Sequence, residues 1–224
     1  MTFAIAARCA RTGRFAVAVS SSSPAVAARC AHARAGVGAA ASQNVTDPAL
    51  GPRLLDLMAS GMAAPEAMAA LRREAAHLDY RQLAAIGRDG RTAGFSGRHT
   101  LGTHAVAEGV DAVAAGNLLS IAGVPAAMVA AFAADPAADL GDRAIAAMRA
   151  GLAAGGEESP VRSAGLLVVD RVAWPVADLR VDWHDDPIAE LARLWDLWKP
   201  QLEDYVTRAL DPAAAPSFGV AGDR

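Results

Sequence analysis

Residues 1–19 read MTFAIAARCARTGRFAVAV, and this opening decides the fold. Phe3, Ile5 and Ala7 alternate with smaller residues, a turn follows near Thr12 and Gly13, and an apolar run resumes from Phe15 to Ser20. Two such runs around a short glycine-containing turn predict an antiparallel hairpin beginning at the second residue. Ser20 to Ser23 and Pro24 end its second strand. Residues 25–34 read as a loop or short helix. Residues 36–43, GVGAAASQ, read as a small-residue strand that must lie close against a neighbour.

Working outward, residues 48–60 predict a helix with Leu54, Leu55, Leu57 and Met58 inward and Gly61 as its stop. Pro65 opens a second helix that runs through Glu74. Strands are predicted at 80–87 and 92–95, joined by Arg88-Asp89-Gly90-Arg91, and again at 104–108 and 111–115, followed by a turn at Gly116-Asn117. Helices follow at 125–134 and 140–154, then a loop at 155–160 and strands at 164–170 and 177–183. A last helix from Pro187 to about Leu210 carries the stripe Ile188, Leu191, Leu194, Trp195, Trp198, with a kink at Pro200. Hairpins dominate this order. The expected class is α+β, a layered sandwich of two mainly antiparallel sheets with helices outside. Residues 1–210 are expected to form one domain, and 211–224 a C-terminal tail that either docks or moves.

Composition narrows the function. The chain has 224 residues, a net charge of −3, 53% hydrophobic and 20% charged residues. That is enough to bury a core without disulfides, and it excludes disorder. No basic footprint exists, so nucleic acid is not an expected partner. Aromatic residues are only 5% and alanine is abundant, so the core must pack by close approach of small side chains. Lys199 is the only lysine, which argues against a catalytic lysine. Cys9 and Cys30 make neither a disulfide framework nor a metal-binding spacing, consistent with a reduced, cytoplasmic setting. The opening lacks the features of a signal peptide, because Arg8 interrupts its apolar run. Residues 112–134 carry no charge, but Gly116, Asn117, Ser120, Gly123 and Pro125 break the run into a strand, a turn and a buried helix. A membrane partner is therefore not expected.

Several motifs resolve into structure rather than chemistry. Gly36-Val-Gly-Ala-Ala-Ala41 fits a dinucleotide string but sits inside the strand itself, so no cofactor is expected. Gly94-Phe-Ser-Gly97 lacks the second glycine of a nucleophile elbow, which would fall at Arg98. His184 lies among Asp182, Asp185 and Asp186, but Asp185-Asp186-Pro187 is a good helix start, and capping outweighs metal binding. Thr2 is sharper. Removal of Met1 would leave a β-hydroxyl and a free α-amine on one residue. Such an amine titrates at about 7.7–8.0 and can take the hydroxyl proton, letting the alkoxide attack a carbonyl.

Six segments add a resemblance. MTFAIAARCARTGRFAVAV, GVGAAASQNVTDPALGPRLLDLMASG, DYRQLAAIGRDGRTAGFSG, VAAGNLL, RSAGLLVVD and DLRVDWHDDPIAELARLW resemble the bacterial domain-of-unknown-function family 1028 over nearly residues 2–210. That family resembles the N-terminal-nucleophile (Ntn) hydrolases, which implies a four-layer αββα sandwich and cleavage of amide bonds. The resemblance places Thr2 at the nucleophile position, Ser21 and Ser22 beside the expected active centre, and Gln43 and Asn44 where oxyanion donors stand. Asn117 is a further donor candidate, with strand-end hydrogen bonding as its structural alternative. Asp182 is a candidate for substrate contact. Arg29, Arg34 or His32 would have to supply the positive potential that some Ntn enzymes take from a lysine.

The leading expectation is a cytoplasmic amidohydrolase acting on a small-molecule amide through Thr2, without metal or cofactor. One alternative is a hydrolase or cyclohydrolase that uses water with Asp182, His184 and Asn117. Another is a non-catalytic ligand-binding module on the same scaffold. Trp195, Trp198 and Tyr205 either dock the last helix on the core or form a homodimer face.

Overall fold

A computed structural model describes residues 1–219. Its strands and helices, in chain order, are β1 (Thr2–Arg8), β2 (Phe15–Ser21), α1 (Ala27–Cys30), β3 (Ala31–Arg34), β4 (Gly38–Asn44), α2 (Leu50–Ala59) and α3 (Ala64–Glu74). These are followed by β5 (Arg81–Gly87), β6 (Thr92–Ser96), β7 (Ala105–Gly109), β8 (Ala112–Asn117), α4 (Val124–Ala133) and α5 (Leu140–Ala153). The series ends with β9 (Ser163–Val169), β10 (Ala177–Val181), α6 (Pro187–Trp198) and α7 (Leu202–Leu210).

Ten strands form two antiparallel sheets, one in the order β10-β9-β2-β1-β8-β7 and the other β3-β4-β5-β6. Strand alternation sorts β1 between two cores. Phe3, Ile5 and Ala7 face α4–α7 in the largest apolar cluster, whereas Ala4 and Ala6 face the second sheet. The layer between the sheets is built mostly of small side chains, among them Ala39, Ala41, Ala84 and Ala115. A third cluster packs α2 and α3 on the outer face of the second sheet. The result is a helix–sheet–sheet–helix sandwich, with the first hairpin at the centre of the larger sheet.

Local chemistry explains the element ends. Asp139 caps α5 by accepting from the Gly141 N–H at 2.9 Å. Asp186 caps α6 by accepting from Ala189 N–H at 3.2 Å, so the cluster around His184 serves as a helix start. The last helix divides at a short 3₁₀ turn, Lys199–Gln201, where Pro200 removes an amide donor. Trp195 is buried and donates to Asp142 at 2.7 Å, and Trp198 donates to the Val176 carbonyl at 2.9 Å. Trp195 and Trp198, two of the three aromatic residues considered for docking or dimer contact, thus hold the last helices on the core.

Three sequence expectations need correction. Residues 31–34, read as loop or helix, form edge strand β3 paired to β4. Gly116 and Asn117, read as a turn, are the last residues of β8, and the chain turns after them. Gly36 lies in a turn at φ +69°, so the small-residue strand begins at Gly38. Within the expected tail, residues 211–219 carry no helix or strand, and the Phe218 ring lies 6.1 Å from that of Tyr205. Residues 220–224 lie outside the described residues.

Candidate active site

Thr2 is the first residue of the central strand, and its position there fixes what surrounds it. The β1–β8 register puts Asn117 directly opposite Thr2, so the two side chains share one face. Ser20 lies opposite Phe3, which brings Ser21 alongside Thr2, with the two hydroxyl oxygens 3.5 Å apart. By alternation with Ala4 and Ala6, this face looks into the space between the sheets.

Thr2 Oγ1 donates to the Met1 carbonyl. Ser21 Oγ donates to the same oxygen at 2.5 Å. Two hydroxyls thus converge on one carbonyl oxygen. Ser21 Oγ is also 2.8 Å from Ser23 Oγ, which accepts from the Arg29 guanidinium at 2.6 Å. Of the three residues considered for positive potential, Arg29 reaches this hydroxyl chain. Arg34 pairs instead with Asp56 at 2.8 Å. His32 is held towards its neutral form by burial, which lowers its pKa.

Glu157 supplies the charge. It is only 7% exposed, in the loop between α5 and β9, where Gly155 and Gly156 have positive φ and a bridge joins Glu157 to Leu119. Its Oε2 accepts from the Ser22 N–H at 3.0 Å, while its buried Oε1 has no hydrogen-bond partner among the described residues. Burial pushes its pKa up from the usual 4.5 to about 7, against the pull of the Ser22 N–H and the positive N-terminal amine. A carboxyl group that exchanges its proton near neutrality therefore lies within electrostatic reach of the chain terminus.

Below Thr2 sits a buried amide cluster. Gln82 Oε1 accepts from Gln43 Nε2 at 2.8 Å and from Asn117 Nδ2 at 3.0 Å. Gln43 Nε2 also donates to the Ala115 carbonyl at 3.1 Å, so both of its protons are engaged. Gln82 Nε2 donates to Ser96 Oγ and the Gly116 carbonyl, both at 2.9 Å. Asn117 keeps one amide proton uncommitted among the described hydrogen bonds. Gln43 Oε1 and Asn117 Oδ1 are buried acceptors without partners among the described residues. The cluster stitches β4 and β5 of one sheet to β8 of the other.

The structure thus gathers Thr2, Ser21, Ser22, Gln43 and Asn117 at one end of the cleft. Asn44 and Asp182 make other contacts. Asn44, in a left-handed conformation at φ 75°, donates to the Tyr80 carbonyl at 2.7 Å and accepts from the Leu101 N–H at 3.2 Å. The Asp182 side chain is exposed, and its backbone carbonyl accepts from the Ala25 N–H at 3.0 Å. Glu157 and Gln82 were not anticipated. Gly155-Gly156 marks a turn in the sequence, but nothing local marks the next residue as buried. Gln82 occupies an inward position of a predicted strand, and a glutamine there was the available signal.

Residues 2–191 match the family of unknown function DUF1028. The chain belongs to that family. A solved DUF1028 structure, the protein SPO2555 from Silicibacter pomeroyi, is similar with a TM-score of 0.82 and 28% identity, covering 91% of this chain and 89% of that one. Anbu, an ancestral β-subunit from Yersinia bercovieri, aligns at 10% identity and a TM-score of 0.36 over 93% of this chain and 97% of its own. That similarity is too low to carry an argument. No curated protein gives a significant match. The DUF1028 match contains the whole cluster, from Thr2 through Glu157, whereas α7 and the residues after it lie beyond the match. Among the described residues, no three His, Cys, Asp or Glu side chains converge as metal ligands. No helix there is long and apolar enough to cross a membrane.

Proposed function

We propose that this DUF1028 chain is an Ntn-type amidohydrolase that cleaves the C–N bond of a small-molecule amide, with Thr2 as nucleophile once Met1 is removed. One observation carries the reading. The Thr2 hydroxyl heads the central strand, faces the cleft between two sheets, and shares a carbonyl oxygen with Ser21. The same two hydroxyls become free to meet a substrate carbonyl once Met1 is removed.

In the proposed reaction the Thr2 α-amine takes the Oγ1 proton, and the oxygen attacks the substrate carbonyl carbon. The oxyanion that forms is met by Ser21 Oγ and the uncommitted proton of Asn117 Nδ2. Fixed donors of this kind are worth a few kcal/mol, about 3, at the barrier. The ammonium returns its proton to the leaving nitrogen as the C–N bond breaks, and water hydrolyses the resulting ester. Gln43, with both amide protons engaged, orients Asn117 through Gln82. Glu157 balances the charge on the new terminus.

Intact mass of untagged protein tests the first step: the species loses one methionine. A panel of small amides, followed by amine release, tests the second. Thr2→Ala lowers turnover by at least about a thousandfold, and Thr2→Ser retains measurable activity. Full activity in protein that quantitatively keeps Met1 would overturn the mechanism.

The unpartnered Oε1 of Glu157 favours a second reading, in which this carboxylate activates water directly. It requires hydrolysis by protein that keeps Met1, lost in Glu157→Gln and kept in Thr2→Ala. Of the residues in the water-using alternative built on Asp182, His184 and Asn117, Asn117 stands opposite Thr2, whereas the Asp182 and His184 side chains are exposed.

A further inference from the structure

The opposite end of the same sheet carries a second arrangement. β1 ends at Arg8, about 20 Å from Thr2 at the usual strand rise. Beyond it, the turn between β1 and β2, the turn between β7 and β8, and Arg143 of α5 enclose a cavity of about 500 Å³.

Arg143 is only 8% exposed and lines this cavity. Its Nε donates to the Phe132 carbonyl at 3.0 Å, and its guanidinium carbon lies 3.8 Å from the Phe132 ring centroid. These contacts fix the guanidinium plane and leave both Nη groups without an acceptor among the described residues. The neighbouring carboxylates make their hydrogen bonds to other groups. Asp111 pairs with Arg8 at 2.8 Å, and Asp135 accepts from the N–H groups of Ala137 and Ala138 at 3.1 and 3.2 Å. Burial pulls the Arg143 pKa below its ordinary value, and the fields of Cys9, Asp111 and Asp135 offset this only in part. A buried guanidinium with no carboxylate hydrogen-bonded to it is costly, and this one faces open space.

Arg11 adds a second cation at the rim, held by its bond to the Ala137 carbonyl at 2.9 Å. Asp111 also lines the cavity, with its charge taken up by Arg8, and the rest of the mouth is largely apolar, including Ala133, Pro136 and Val110, which is 82% exposed. We propose that this cavity binds a small organic carboxylate, clasped by the two Nη groups of Arg143, with Arg11 beside it and its hydrocarbon part against Val110, Ala133 and Pro136. A guanidinium fork matches a planar carboxylate in two parallel hydrogen bonds. The apolar mouth selects an organic body over a bare inorganic anion.

Cys9, itself only 2% exposed, lies in the cavity wall, and its alkylation reports on the cavity's occupancy. Burial alone would raise its thiol, but hydrogen bonds with Thr12 and Arg11 outweigh this and hold it below its ordinary range. A bound carboxylate covers the thiol and disfavours its thiolate. Cys30, buried between the sheets with its thiol raised by that burial, is the internal control.

The test is alkylation of the full chain by iodoacetamide at constant ionic strength, with each cysteine followed by peptide mass spectrometry. Hexanoate at about four times its half-saturating concentration slows Cys9 alkylation about fivefold. The Cys30 rate does not change, and inorganic phosphate protects less. Arg143→Gln abolishes the protection. Arg11→Gln, a change on an exposed turn that leaves the fold intact, weakens it at least threefold. The proposal is overturned if hexanoate protects no better than chloride, if phosphate protects equally, or if Arg11→Gln keeps full protection.

Discussion

Glu157 holds the site's most informative titration. In the folded protein its carboxyl titrates at about 7, and in the unfolded chain it returns to the usual 4.5. Between these values the folded state holds the extra proton. The group's contribution to stability is therefore complete below pH 4.5, declines as pH rises to about 7, and is flat above. A shift of this size corresponds to roughly 3 kcal/mol. Urea midpoints at pH 4.5, 6 and 7.5 should show this decline in the wild type and a flatter profile in Glu157→Gln. An unchanged slope in the variant would assign the titration to another group. At the same scale, Ser21→Ala removes one of two donors to the carbonyl oxygen and should lower turnover by about a hundredfold with little change in stability. Steady-state kinetics on the amide identified for the wild type measures it. The position of Thr2 at the head of the first strand was legible because hydrophobic alternation is a local feature; Ser21 was reached through the family resemblance, and Asn117 was a donor candidate read in a turn. Glu157 was not legible, because its burial depends on Ser22 and Leu119, distant in sequence, meeting it in the folded chain.

Among the elements, α5 and α6 meet through a glycine. A Cβ at Gly141 would lie 2.3 Å from Cζ2 and 2.5 Å from Cε2 of the buried Trp195 ring. That ring is held by its bond to Asp142 and cannot withdraw freely. Gly141→Ala should therefore destabilise the fold by about 1–3 kcal/mol, although alanine is the better helix former. Chemical denaturation measures this, and a stabilised variant would show that α6 can shift outward. Most helices and strands were legible from hydrophobic period and punctuation. The exception was β3: its four residues, AHAR, have too little alternation to read, and they become a strand only because β4 offers an edge. Gly116-Asn117 has the composition of a turn, yet pairing with Thr2 and Phe3 keeps it extended.

Across the whole molecule, the two sheets are held together by a layer rich in alanine. Ala84 is fully buried in that layer, facing β1 and β8 of the other sheet. Ala84→Leu has no space to fill and should cost about 1–3 kcal/mol by forcing the sheets apart. The same separation would stretch the Gln43–Gln82–Asn117 cluster, so loss of stability and disturbance at Thr2 should appear together. Thermal unfolding of Ala84→Leu, with hydrolysis assayed below its midpoint, separates the two effects. The sequence by itself determined the opening hairpin, the helix positions and a core of small residues, because period and composition are properties of neighbouring positions. Only the tertiary structure decided that Gln43, Gln82 and Asn117 share one hydrogen-bond network, that Glu157 is buried against the Ser22 amide, and that Arg143 faces a cavity with no carboxylate bonded to it. Hydrogen-bond partners, desolvation and electric field are set by residues distant in sequence, so they exist only once the layers have closed.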